Sequence, residues 1–249
     1  MSSSAVDLYN HPSADFDARV SNAVSVLQAA AAEHPGRIVQ STSLGAEDMV
    51  VTDLIARHQI AINLSTLNTG MLHAQTVDLI ARIESTYSLS VQVFYPLPEA
   101  AIHFVKQFGK RAMFDSVTLR KACCRIRKME PLARMLTGQS AWVTGLRREQ
   151  SANRGDVPFI DTDDAGQTKF NPLADWTWGD VWHYIATRDV PYNPLHDAHM
   201  PSIGCAPCTR AIAVGEDFRA GRWWWENSES KECGLHESKQ EVSMMAERA

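Results

Sequence analysis

A mostly parallel β-sheet flanked by helices, an α/β fold, is predicted by three observations. Short β-branched runs alternate with amphipathic stretches, glycine-bearing turns join one to the next, and the order strand, turn, helix recurs. The first amphipathic stretch covers residues 15–34, where Phe16, Val20, Ala23, Val24 and Leu27 repeat at three-to-four spacing until Pro35 and Gly36 stop the pattern. Residues 37–43 then read as a strand, 44–48 as a tight turn and 49–57 as a helix. The order returns with a strand over 60–67, a turn over 68–70, a helix over 73–87 and a strand over 90–95. Ligands of such sheets sit at the carboxyl ends of the strands.

Further along, a helix is predicted over residues 115–136 and a strand over 140–144, ending at Gly145. Residues 147–168 are polar and contain glycine, as loops do. Residues 178–186 have helical character, with Thr177 as N-cap. The last stretch, 227–249, is polar and charged, with Leu235, Val242, Met244 and Met245 as its only large aliphatic side chains. It is expected to lack a fixed place in the core. The chain therefore divides into a domain over 1–226 and a flexible C-terminal segment over 227–249.

At 249 residues, 45% hydrophobic and 21% charged, the composition suits one large core. A net charge of −5 argues against a general nucleic-acid binder, so any anion site must be built locally. The apolar runs fall short of the ~18 residues that cross a bilayer, and no membrane contact is expected. The first residues lack the basic and apolar regions of a secretory signal, so a cytoplasmic location is expected.

The five cysteines do not resemble the framework of a small disulfide-bonded domain. Cys123 and Cys124 are adjacent, and Cys205 and Cys208 form a C-x-x-C turn shaped by Gly204 and Pro207, so four thiolates can converge if the fold joins the two segments. Neighbouring side chains diverge by about 100° on a helix, which suits a cluster with separated iron corners better than a single ion. A structural zinc, a redox pair and buried free thiols remain alternatives at this point. Five cations, Arg120, Lys121, Arg125, Arg127 and Lys128, surround the first pair with no acid among them, and are expected to lower the thiol pKa values and offset a negative cluster. Cys233 stands apart, in the polar C-terminal segment between Lys231 and His236, where a purely structural buried cysteine would be out of place.

Taken in order, the segments Ser43-Leu-Gly-Ala-Glu-Asp48, Asn68-Thr-Gly70, Cys-Cys-Arg-Ile-Arg-Lys128, Thr144-Gly-Leu-Arg-Arg-Glu-Gln-Ser151, Gly204-Cys-Ala-Pro-Cys-Thr209, Arg219-Ala-Gly-Arg222 with Trp223 to Glu226, and Glu232-Cys-Gly-Leu-His236 resemble the bacterial assimilatory adenylyl-sulfate reductases. These belong to the larger family of adenylyl-sulfate and phosphoadenylyl-sulfate reductases, and the resemblance covers nearly the whole chain. It implies a Rossmann-like adenine-nucleotide alpha-hydrolase fold and a 4Fe-4S cluster, one per subunit, held by Cys123, Cys124, Cys205 and Cys208. It implies adenosine 5′-phosphosulfate as substrate, Cys233 as the nucleophile that forms an S-sulfonate, and thioredoxin or a glutaredoxin-like dithiol as reductant. Substrate contacts are implied for Ser43, Gly45, Ala46, Glu47, Asp48, Leu67 and Gly145. Lys128, Arg219, Arg222 and His236 match positions that meet the phosphosulfate, with Arg154 a further candidate. The sequence departs from the family at Asn68 and Gln75, where acids are common.

The residues themselves give the first loop and the cations a role in this chemistry. A strand-to-helix turn presents backbone N–H groups and a helix N-terminus to an anion, and Gly45 permits close approach. Sulfate sulfur is shielded by negative oxygens, so thiolate attack requires nearby cations. Rival readings are reduction of 3′-phosphoadenosine 5′-phosphosulfate, an ATP-dependent thiolation enzyme and a zinc-stabilised binding module. The oligomeric state, a homo-oligomer included, is left open.

Overall fold

A computed structural model describes residues 4–151, 154–213 and 215–226. A short helix α1 (Ala5–Tyr9) precedes α2 (Phe16–Glu33), then β1 (Ile38–Thr42), α3 (Ala46–Arg57), β2 (Asn63–Leu67), α4 (Ala74–Tyr87) and β3 (Val91–Phe94). Next come α5 (Pro98–Phe108), α6 (Val117–Cys124), a π-helical turn (Arg125–Met129), α7 (Glu130–Leu136), β4 (Ala141–Val143), β5 (Ile160–Thr162), β6 (Thr168–Phe170) and α8 (Trp178–Arg188).

The six strands form one sheet in the order β3-β2-β1-β4-β6-β5, parallel throughout except for β5, which runs antiparallel to β6. The chain builds outward from β1 to β3 on one side and then returns to place β4 on the other. Connections therefore diverge between β1 and β4, and a crevice opens beyond their carboxyl ends. Those ends lead into Ser43 and Thr144.

Helix α3 follows the crevice and is buried without a break from Ala46 to Ile55. It packs with α2, α8 and the sheet around Ile38, Met49, Leu54, Trp176 and Trp182. Its polar residues are paired: Asp53 accepts hydrogen bonds from the Tyr87 and Tyr184 hydroxyls, each at 2.8 Å, and from Arg57 Nε at 2.7 Å. Thr177 caps α8 as expected, in a reciprocal box with Asp180. Among the described residues no helix is long and apolar enough to cross a membrane.

Two expectations change and one further helix appears. The helix expected over 115–136 is two α-helices joined by a π-helical turn, immediately after Cys124. Pro131 supplies a cause, since it has no N–H for the Arg127 carbonyl and its ring would crowd that oxygen in a regular α-turn. The loop expected over 147–168 includes β5 and runs to the start of β6. Strand β5 is exposed along its length and is only three residues long, so it carries no burial periodicity. Helix α5 lies between the strand expected over 90–95 and the helix expected over 115–136, where no element is expected, and it starts with proline at its first position. The segment 227–249 lies outside the described residues.

Candidate active site

The crevice between β1 and β4 is a cleft of about 220 Å³. One wall is the loop from Ser43 into α3. Asp48 holds this loop: one carboxylate oxygen accepts from Ser43 N at 2.6 Å and Ser43 Oγ at 2.5 Å, and the other accepts from Gly145 N at 2.8 Å. One buried side chain thus locks the β1 loop to the β4 loop. Gly145 must be glycine here, because a Cβ would stand 2.7 Å from Asp48 Oδ1 and 2.9 Å from both Asp48 N and Glu47 Cβ. Burial pushes the Asp48 carboxyl up to about 6, while its three hydrogen bonds pull the other way.

Glu47 Oε1 accepts from Arg147 Nη2 at 3.0 Å and Gln150 Nε2 at 2.9 Å, fixing a second wall. Leu44 holds a left-handed backbone at φ 64° beside it, a conformation unfavourable for a branched residue and retained here by burial of its side chain. Lys128, Arg154, Arg219 and Arg222 also line the cleft, with Arg154 Nη1 donating to Gln150 Oε1 at 2.5 Å on the Glu47 wall. Arg222 is buried against the Trp223 ring at 4.8 Å, and its Nε has no hydrogen-bond partner among the described residues. A buried cation with an unsatisfied donor facing a cleft suits an anionic ligand.

Ser43, Gly45, Glu47, Asp48, Leu67, Lys128, Gly145, Arg154, Arg219 and Arg222 all line this cleft. Ala46 does not, being wholly buried at the first turn of α3. Cys233 and His236 lie outside the described residues. Thr69, Thr144 and Gln150 also line the cleft; they fall within the motif segments above without having been named as site residues. His196, Ser202 and Phe218 line it as well, and nothing local in the sequence marks them. Asn68 closes a small turn, its Oδ1 accepting from Gly70 N at 3.0 Å.

Behind the cationic wall, Cys123, Cys124, Cys205 and Cys208 line one small cavity with Arg127 and Lys128, and Lys128, Cys205 and Trp223 line both spaces. Three of the thiols are buried and the fourth is half-buried. Among the described residues no set of three or more His, Cys, Asp or Glu side chains closes on a single ion. Four thiols around a shared cavity, flanked by cations, fit a polynuclear cluster bound by four cysteinates. Thr69 Oγ1 lies 3.2 Å from Cys205 Sγ, and Arg127 Nη1 donates to the Thr69 carbonyl at 2.7 Å.

The expected lowering of the thiol pKa values is corrected here. Burial pushes the Cys123 thiol up and that of Cys208 up to about 11, outweighing Arg127, Lys128 and Arg222. Arg120, counted among the cations offsetting a cluster, lines the same small cavity and also forms a buried bidentate pair with Glu226 at 2.9 and 2.8 Å, so its charge is already partnered.

Residues 37–211 match the family model described as the phosphoadenosine phosphosulfate reductase domain. The chain belongs to the phosphoadenosine phosphosulfate reductase family. Relatives within it named adenosine 5′-phosphosulfate reductase include proteins of Allochromatium vinosum, 56% identical over 80% of this chain and 78% of the relative, and Neisseria meningitidis, 54% identical over 79% and 81%. One of Burkholderia cepacia is 49% identical over 86% of each chain. Among solved structures, the phosphoadenylyl-sulfate reductase of Candida auris, a phosphate complex, aligns with TM-score 0.65 and 26% identity over 81% of this chain and 98% of that one. The FMN adenylyltransferase of Candida glabrata shares the fold at TM-score 0.56 and 14% identity, over 94% of this chain and 82% of its own. The likeness to the second structure is one of fold alone.

Proposed function

We propose that this chain reduces adenosine 5′-phosphosulfate to sulfite and AMP, using thioredoxin or a glutaredoxin-like dithiol. The observation that carries this reading is the cleft at the β1/β4 switch point, which Lys128, Arg154, Arg219 and Arg222 line together with the Ser43 loop. The name shared by relatives about half identical supports the same substrate. The Ser43 loop and Gly145 receive the nucleotide, and the cations screen the sulfate oxygens.

The Cys233 thiolate then attacks the sulfate sulfur. A sulfur–sulfur bond forms, the sulfur–oxygen bond to the phosphate breaks, and AMP leaves with that electron pair. A thiolate of the reductant next attacks Cys233 Sγ of the S-sulfonate and expels sulfite. The reductant's second thiol resolves the mixed disulfide, so the dithiol loses the two electrons that the sulfur gains.

In this reading Cys123, Cys124, Cys205 and Cys208 hold a 4Fe-4S cluster, one per subunit. When bound, that group supplies a fixed charge beside Lys128 and no electrons to the sulfate. Free thiols of this kind suit a reducing compartment such as the cytoplasm.

The test supplies the anaerobically purified protein with thioredoxin and either adenosine 5′-phosphosulfate or its 3′-phosphorylated form. Sulfite and AMP in equal amounts, with the higher kcat/KM on the first, are expected. A higher kcat/KM on the second supports 3′-phosphoadenosine 5′-phosphosulfate reduction, the reading favoured by the likeness to the Candida auris structure. No sulfite from either overturns both.

A pH dependence follows from the Asp48 lock. The ionised carboxylate accepts all three donors, whereas a proton on either oxygen opposes one of them. Because burial raises this carboxyl to about 6, substrate affinity is expected to fall as pH drops below about 6. Binding of adenosine 5′-phosphosulfate to Cys233→Ser protein, which cannot turn it over in this reading, checks this. Asp48→Asn should bind more weakly at every pH and lose the step.

A further inference from the structure

His196 is 3% exposed, and both its ring nitrogens are buried without a hydrogen-bond partner among the described residues. It ends the short helical turn Pro194–His196 and lines the cleft. The edges and faces of Trp178 and Trp182 surround it, with ring centroids 6.0 and 5.3 Å away. The Met200 backbone faces the imidazole without forming a proper hydrogen bond. Burial pushes the ring down to about 4, so it is neutral near neutral pH, with one donor and one acceptor. Two orphaned polar atoms in a tightly packed aromatic setting are costly, and an apolar residue of similar shape would remove the cost.

The position also restricts what can satisfy the ring. A phosphate or sulfate oxygen only accepts hydrogen bonds, so it could not serve the acceptor nitrogen of a neutral imidazole. The Glu47 carboxylate, which acts on His196 electrostatically, is paired with Arg147 at 3.0 Å, so no free cation of that pair draws an anion to His196. The cations Lys128, Arg219 and Arg222 also line the cleft and suit the anionic end of the ligand. A sugar hydroxyl both donates and accepts, is uncharged, and belongs to the proposed ligand.

We infer that His196 is a positioning residue that hydrogen-bonds a ribose hydroxyl of the bound nucleotide. The inference rests on the nucleotide reading above and adds to it the residue that holds the sugar. The imidazole is retained at some cost to the free protein because the ligand completes its hydrogen bonding.

The test measures AMP, 2′-deoxy-AMP and 3′-deoxy-AMP binding at about pH 8, where Asp48 and the AMP phosphate are ionised, to wild-type and His196→Phe protein. AMP affinity should fall about five- to tenfold in His196→Phe, the range of one neutral hydrogen bond. For the deoxy analogue that lacks the partnered hydroxyl, wild type and variant should bind equally. The unfolding midpoint of the free variant should stay the same or rise, a result that a merely structural histidine would not give together with weaker binding. Should His196→Phe fail to fold, His196→Gln, which keeps a donor and an acceptor, carries the same comparison and should recover part of the AMP affinity. Equal weakening for all three ligands, or no weakening, overturns the assignment. A wild-type protein that binds no AMP would instead sink the nucleotide reading itself.

Discussion

Glu226→Gln is expected to lower the unfolding free energy by about 3–5 kcal/mol, the usual cost of removing one partner from a buried ion pair. Arg120 is wholly buried in α6, its guanidinium lies 4.5 Å from the Trp223 ring centroid, and Glu226 meets it with both carboxylate oxygens. Glutamine offers one acceptor and a donor that faces the guanidinium, leaving the cation undercompensated in a dry setting. The pair is no gift to stability in itself, so Arg120→Met with Glu226→Leu should recover most of the loss. Urea unfolding under anaerobic conditions checks both variants. A loss below about 1 kcal/mol for Glu226→Gln, the range of an exposed pair, would show that the pair is solvated. The pair also has a place in the function. It fastens the last described residue to the helix that carries Cys123 and Cys124, seven residues before Cys233.

Cys233→Ser is expected to reduce sulfite formation at least about a thousandfold, because a serine hydroxyl is a far poorer nucleophile than a thiolate without an adjacent base. Substrate affinity should change little, since the cleft that receives the nucleotide is built from other residues. Binding of adenosine 5′-phosphosulfate and steady-state sulfite release separate the two effects. The Cys123, Cys124, Cys205 and Cys208 variants should behave differently, losing bound iron and acid-labile sulfide along with stability. A Cys233→Ser protein that retains its iron and binds substrate but makes no sulfite is the expected combination.

The strands that build the crevice were legible because each is a short β-branched run followed by a glycine-bearing turn and a periodic helix. Residues 37–57 gave β1, its loop and α3 within a few positions. Strand β5 and helix α5 were not legible by periodicity, the first being short and exposed and the second beginning at a proline. At the site, motif residues such as Ser43, Asp48, Lys128 and Arg222 are brought to one cleft, although 179 positions separate the first from the last. The sequence could not say that Arg120 pairs with Glu226, because both charges lie in plausible surface contexts and only packing buries them. Nor could it reveal His196, whose interest comes entirely from the absence of hydrogen-bond partners around its buried ring among the described residues. The Cys123 thiol is pushed up rather than down because neighbouring cations can be read from a sequence and desolvation cannot.

The central claim is that Cys233 itself takes the sulfonate from the nucleotide. Its most direct test is the intact mass of the wild-type protein after incubation with adenosine 5′-phosphosulfate in the absence of reductant, followed by mapping of the modified peptide. The account predicts a gain of one SO₃ group on Cys233, discharged as sulfite when thioredoxin is added and absent from Cys233→Ser protein. A protein that releases sulfite with thioredoxin yet carries no adduct, or carries it on another cysteine, would contradict it.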